Sequence, residues 1–176
     1  MEKLGAYAKK AKSLGVSKAK IIESKSIVVG NWVRLKCQFG CGGYGECLTC
    51  PPYSPTPEFT EKLLGEYSQG LLMQIENISS RDEGRIFKKF RKIVADLERE
   101  IFLDGYYKAL GMTAGPCSFC PICDTSKSCK HPRLARPSME ACGIDVYKTA
   151  RNNGLSLQVV KSREFPCSYI SLILIE

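Results

Sequence analysis

The stretch SYISLILI, Ser168–Ile175, decides the fold of this chain. It is apolar on both faces, through Tyr169, Ile170, Leu172, Ile173, Leu174 and Ile175, and a strand buried on both sides lies inside a sheet. Residues 155–160 alternate just upstream and read as a neighbouring strand, as do Leu71, Met73 and Ile75. From Ile27 to Leu35 the chain sets Ile27, Val29, Val33 and Leu35 against Val28, Trp32 and Arg34, which predicts a further strand; a weaker one is expected over 106–112. Helices are expected between them. Residues 2–14 carry Leu4, Ala8 and Ala11 on one side, with Gly15 as a stop. Ile86, Phe90, Ile93, Leu97 and Ile101 form an apolar stripe through 82–103, and Lys88, Lys89, Arg91, Lys92 and Arg99 lie off it as a solvated face. A short helix over 58–66 follows the proline-rich loop 51–57, and Ser138 caps a helix to about Asn152, with Glu140 in its first turn and Gly154 closing it. The order predicts one α+β domain over 1–176: a mostly antiparallel sheet with helices packed on it and two cysteine-rich metal-binding loops, at 37–50 and 117–129.

Those loops hold eight of the ten cysteines. The first block is Cys37-x3-Cys41-x5-Cys47-x2-Cys50, the second Cys117-x2-Cys120-x2-Cys123-x5-Cys129. Thiols set among Gly, Pro and polar residues sit where backbone can wrap round an ion or cluster. Three thiols at successive two-residue gaps, with a fourth farther on, match the four-cysteine loops that hold a [4Fe–4S] cubane. Both blocks are therefore read as cofactor-binding, with two [4Fe–4S] clusters on all eight cysteines as the leading expectation. Zinc is the alternative, and the first block also divides into two knuckles, Cys37/Cys41 and Cys47/Cys50. Cys142 and Cys167 read as buried thiols, each still a candidate to replace a member of the first block.

The first block contains a second pattern, Gly40-Cys-Gly42-Gly-Tyr-Gly45, which matches G-x-G-x-x-G. A dinucleotide site needs a helix to open at once, and Pro51-Pro52 close behind exclude it; the glycines let backbone approach a cluster instead. His131, the single histidine, stands beside Cys129 as a neighbour of the loop or a donor to cluster sulfur. Arg133, Arg136 and Arg151 read as surface arginines or as screens for cluster charge. No triad, paired-carboxylate motif or phosphate loop is visible, so no catalytic residue is assigned.

The lysine-rich start MEKLGAYAKKAKSLG lacks the apolar segment of a signal peptide, and no stretch is apolar over a membrane-spanning length. A cytoplasmic protein is expected, where ten reduced cysteines serve metal rather than disulfides. The formal charge of +8 counts every thiol as neutral. Two clusters of net charge about −2 each would bring it to about +4. That weakens the case for nucleic acid and suits an acidic redox partner protein equally. Aromatic residues do not interleave with the basic ones as single-strand binders require, so a zinc module binding nucleic acid ranks last.

At Cys41-x2-Tyr44-Gly45-x4-Cys50-Pro-Pro-Tyr53, Gly115-Pro-Cys117-x2-Cys120-x2-Cys123, Cys129-x-His131-Pro132-x3-Arg136-Pro137-Ser138-Met139-Glu140 and Gly143-Ile144-Asp145-Val146, the chain resembles an uncharacterised prokaryotic family of predicted metal-binding proteins. The resemblance spans nearly the whole chain. It implies metal or iron–sulfur binding and carries no reaction. A first cluster without Cys47 would have an open corner, which separates an iron–sulfur enzyme from an electron carrier. If Leu35 and Met112 end strands at one edge of the sheet, the two loops meet above it and bring the clusters together.

Overall fold

The computed structural model describes residues 2–162 and 164–176. Its sheet has four strands, β1 (Lys18–Glu23), β2 (Gln69–Ile78), β3 (Leu110–Met112) and β4 (Cys167–Leu174), in the order β1-β2-β4-β3 with every pair antiparallel. The doubly apolar stretch is thus an inner strand, as its pattern predicts. Register sets Leu172 opposite Leu72 on one side and opposite Met112 on the other. Alternation then separates two cores. Leu71, Met73, Ile75 and Ile173 pack under α1 (Glu2–Ser13), through Leu4, Tyr7 and Ala11, and under α4 (Glu83–Leu103), through Phe90, Ile93, Leu97 and Ile101. Leu72, Ile170, Leu172 and Leu174 face the other way, onto Ile27, Met112, Met139, Cys142, Ile144 and Ala150. The first cysteine block lies on this second face, where Cys37 Sγ meets Glu140 O at 3.8 Å, and the second abuts α4.

Several expected elements take another form. Only the start of Ile27–Leu35 is extended, with Val29 in a single bridge to Ile144; Asn31–Gly40 is a helix, α2. Gly30, in extended conformation, is the break between them. Val33 is buried while Trp32, Leu35 and Phe39 lie exposed, so the apparent alternation joined two short segments of different geometry. Residues 155–160 form no strand: Leu155 and Leu157 pack on the second core without ladder bonds, and Gln74 Nε2 donates to Ser156 O at 2.7 Å. The expected strand over 106–112 shrinks to its last three residues. β1 escaped the pattern because Lys18 and Lys20 break its apolar run, a composition typical of a protected edge.

The expected helix from Ser138 to Asn152 divides in two. Ser138 Oγ does accept the Ala141 N–H at 3.0 Å, but the turn it caps is a short 3-10 segment, Glu140–Cys142. Gly143 then takes φ 80°, and a Cβ there would lie 2.7 Å from Pro57 Cγ, so glycine is required for both conformation and space. Asp145 starts α5 (Val146–Asn152) by accepting the Lys148 N–H at 2.9 Å. The short helix after the proline loop is α3 (Pro57–Leu64), where Thr56 Oγ1 accepts the Phe59 N–H at 3.2 Å and Pro57 opens the first turn. Gly143 O in turn accepts the Gly30 N–H at 2.9 Å, which ties the start of α2 to this segment.

Candidate metal centre

Each block is delivered by a different device. Cys37 lies in the last turn of α2 and Cys41 just past its end, so the first block begins on a helix and not at the end of a strand. Its remaining thiols sit in tight turns: Cys50 N–H bonds Cys47 O at 2.9 Å and Gly45 N–H bonds Pro51 O at 2.8 Å. The second block follows β3, as expected. Gly115, at φ 59°, turns the chain away from the sheet, and a Cβ there would meet the Phe87 ring at 3.0 Å. Asp124 holds the loop between Cys123 and Cys129 by accepting from Ser126 Oγ at 2.6 Å and pairing with Lys127 at 3.2 Å.

Backbone N–H groups point at sulfur in both blocks. Gly43 N–H donates to Cys41 Sγ at 3.4 Å, and His131 N–H donates to Cys129 Sγ at 3.4 Å. His131 therefore contributes its backbone here, while its ring lies tilted with its centroid 6.2 Å from that of Phe119.

The two blocks meet, although Leu35 ends no strand. A Cβ on Gly43 would lie 3.2 Å from Pro116 Cβ and 3.6 Å from both Cys41 Sγ and Cys50 Sγ, so this glycine lets one loop seat against the other. Cys47 Sγ stands 3.9 Å from Cys117 O. Two concavities result. One, about 230 Å³, is lined by Cys47 together with Cys117, Cys120, Cys123 and Cys129. The other, about 640 Å³, is lined by Cys37, Cys41 and Cys50, with Cys167 farther along. Among the described residues no three His, Cys, Asp or Glu side chains converge within reach of a single ion. The thiols ring spaces and do not crowd a point. Cys142 is fully buried in the second core, and Cys167 donates to Ile78 O at 3.4 Å, so both behave as packed thiols.

Sequence reasoning missed the charge at the centre of this arrangement. Arg91 lies off the apolar stripe of α4 yet is only 3% exposed. Its guanidinium stacks on Phe87 at 3.9 Å and donates to Ser118 Oγ at 2.7 Å, to Ala114 O at 3.0 Å and to Pro116 O, all on the second cysteine loop. Nε has no partner, and among the described residues no carboxylate lies within ion-pair distance. Burial pulls its pKa down to about 10, against an upward pull from Cys117, Cys50, Cys47 and Glu140, so it stays cationic at neutral pH. Phe87, Arg91, Val94 and Glu98 form a second helical stripe at gaps of four, three and four, the one signal that pointed inward. Glu98, also buried, pairs with Arg136 at 2.5 Å and clamps the far end of the same loop. Arg136 is thereby a half-buried structural partner and no surface charge.

Burial raises the thiols of Cys37, Cys47 and Cys117. For Cys50 burial, helped by Cys47 and Cys41, pushes the value up to about 12. With their pKa raised, these groups hold their protons at neutral pH, and any metal binding there would have to displace them.

A four-stranded antiparallel sheet carrying two converging thiol-rich loops defines a cysteine-rich α+β protein built to bind metal. The family model described as a predicted metal-binding protein (DUF2284) matches residues 20–175, and the chain belongs to that family. No curated protein and no solved structure matches it. No described helix is long and apolar enough to cross a membrane.

Proposed function

We propose that the protein binds two [4Fe–4S] clusters through its two cysteine blocks and works in electron transfer, as a small carrier or redox subunit that passes single electrons to a partner protein. The observation that carries this reading is Arg91. A buried guanidinium whose hydrogen bonds go only to neutral acceptors costs several kcal/mol in an interior. Its nearest titratable neighbours are thiols of both blocks and Glu140. The charge is compensated once those thiols become thiolates on a centre of net charge about −2.

Tetrahedral zinc on four thiolates would carry the same charge, but it draws its sulfurs to about 2.3 Å from one ion. Thiols spread round cavities suit a cubane better, because iron and sulfide stand between them. Cys47 and Cys50, three residues apart, line the two different spaces, and that proximity supports exchange of electrons between two centres. Anaerobically purified protein is expected to be brown, with about eight iron and eight acid-labile sulfide per chain and reversible reduction. Stoichiometric zinc without sulfide would end this reading, and clusters inert at every accessible potential would end the carrier role.

A further inference from the structure

The eight thiols do not divide as the sequence blocks them. Cys47, from the first block, lines the cavity of the second while keeping its place beside Cys50, and Cys37, Cys41 and Cys50 alone of the first block line the 640 Å³ groove. Neither spare thiol fills the gap: Cys142 is fully buried in the core, and Cys167 is engaged by Ile78 O at 3.4 Å and Tyr169 Oη at 3.3 Å. The groove, part of which the centre itself would fill, is within the range that holds small molecules, roughly 300–1,000 Å³. Trp32, Tyr44, Pro116, Ile144, Tyr147 and Val159 give it apolar walls, and Trp32 and Val159 keep 50% and 74% of their surface exposed there. Glu140 belongs to the same wall; its carboxylate is held by Ser138 and by the Gly115 backbone, and its buried Oε2 has no further hydrogen-bond partner among the described residues. An acceptor left in that condition costs free energy until a donor reaches it.

We infer that Cys37, Cys41 and Cys50 hold a three-thiolate centre whose remaining coordination position is filled from the groove by a small aromatic or apolar molecule bearing a nitrogen donor and an N–H. The apolar walls take the body of the ligand. The nitrogen suits a thiolate-bound iron, a borderline-to-soft acceptor. The N–H answers the Glu140 oxygen. This inference rests on the iron–sulfur reading above and gives the electrons a destination within the chain: a closed centre in the second block beside a ligand-binding centre in the first.

The test uses anaerobically purified holoprotein, with iron and sulfide measured on every sample. Cys41→Ser identifies the electron paramagnetic resonance signal of the first centre by its loss. In Cys47→Ser that signal is expected to persist; its disappearance would show Cys47 to be the missing ligand and overturn the inference. In the unmodified protein 4-phenylimidazole is expected to alter that same signal and no other, and to quench Trp32, the only tryptophan. It should bind at least about tenfold more tightly than imidazole, the minimum that burying a phenyl ring provides. Equal affinities, an unaltered signal or a change in both centres would each refute it. Zinc without sulfide would sink the underlying reading instead, so the two failures are distinguishable.

Discussion

Replacing Arg91 by Met removes a buried positive charge while keeping an apolar stem against Phe87. Arg91 bonds residues on both sides of Cys117, so its guanidinium lies within about two residue lengths, ~8 Å, of any centre that Cys117 holds. At an effective dielectric constant of about 20, one unit charge at that distance is worth about 2 kcal/mol. Reduction adds one negative charge to the centre, so losing Arg91 disfavours the reduced form by about that amount. For one electron this lowers the midpoint potential by roughly 90 mV. Burial limits salt screening, so the shift should persist at high ionic strength. Arg91→Lys keeps the charge and should move the potential by less than half as much. The assay is a spectroelectrochemical titration of variants that retain full iron and sulfide. A potential that stays within experimental scatter, or rises, in fully loaded Arg91→Met would refute the assignment of Arg91 as counter-charge to the centre.

Four further outcomes follow from the packing. Leu172→Ala, at a fully buried position between Leu72 and Met112, should cost about 2–5 kcal/mol in urea unfolding. Gly143→Ala combines a left-handed backbone with a 2.7 Å approach to Pro57, so it should destabilise by more than about 1 kcal/mol and reduce iron per chain, because Cys37 Sγ contacts Glu140 O in that segment at 3.8 Å. Leu35→Asn should change stability by less than about 0.5 kcal/mol, since the side chain is 55% exposed on α2; a loss as large as a core strand residue would restore the strand assignment. Stripping metal should abolish hydrogen-exchange protection over 37–50 and 114–138 while amides of β2 and β4 stay protected, since the two cores lie on the sheet and owe nothing to the thiols.

The two inner strands and the long helix were legible because burial imposes a period on them. SYISLILI has to be an inner strand, since nothing else covers both of its faces, and the stripe at Ile86, Phe90, Ile93, Leu97 and Ile101 fixes the inward side of α4. Short segments that borrow their stability from neighbours left no such mark. Of α2 only Val33 is buried, so its helical period is hidden beneath exposed Trp32, Leu35 and Phe39. The apolar residues of 155–160 reach the core from an irregular chain and mimic a strand. At the site, residue types and loop positions were readable, but the placement of Cys47 with the second block depends on how two loops seat against each other through Gly43 and Pro116. That contact spans more than seventy residues of sequence and has no local signature.

The basic composition acquires a different meaning once the charges are located. Lys10 pairs with Glu100 at 2.5 Å, Lys18 with Glu76 at 2.7 Å and Lys92 with Asp96 at 2.6 Å, so lysines of α1, β1 and α4 neutralise carboxylates of the same chain. Surface pairs of this kind add little stability, about 0–1 kcal/mol each, but they leave less free positive charge for a polyanion than the pI of about 9.0 suggests. The one cation that the fold isolates among the described residues, Arg91, points away from that surface and into the loops that hold the thiols. A protein selected to grip phosphate would place its least replaceable arginine where phosphate can reach it. Here it is enclosed behind Phe87, with thiols of both blocks as its neighbours, so the basicity that matters most is directed at the cysteine loops.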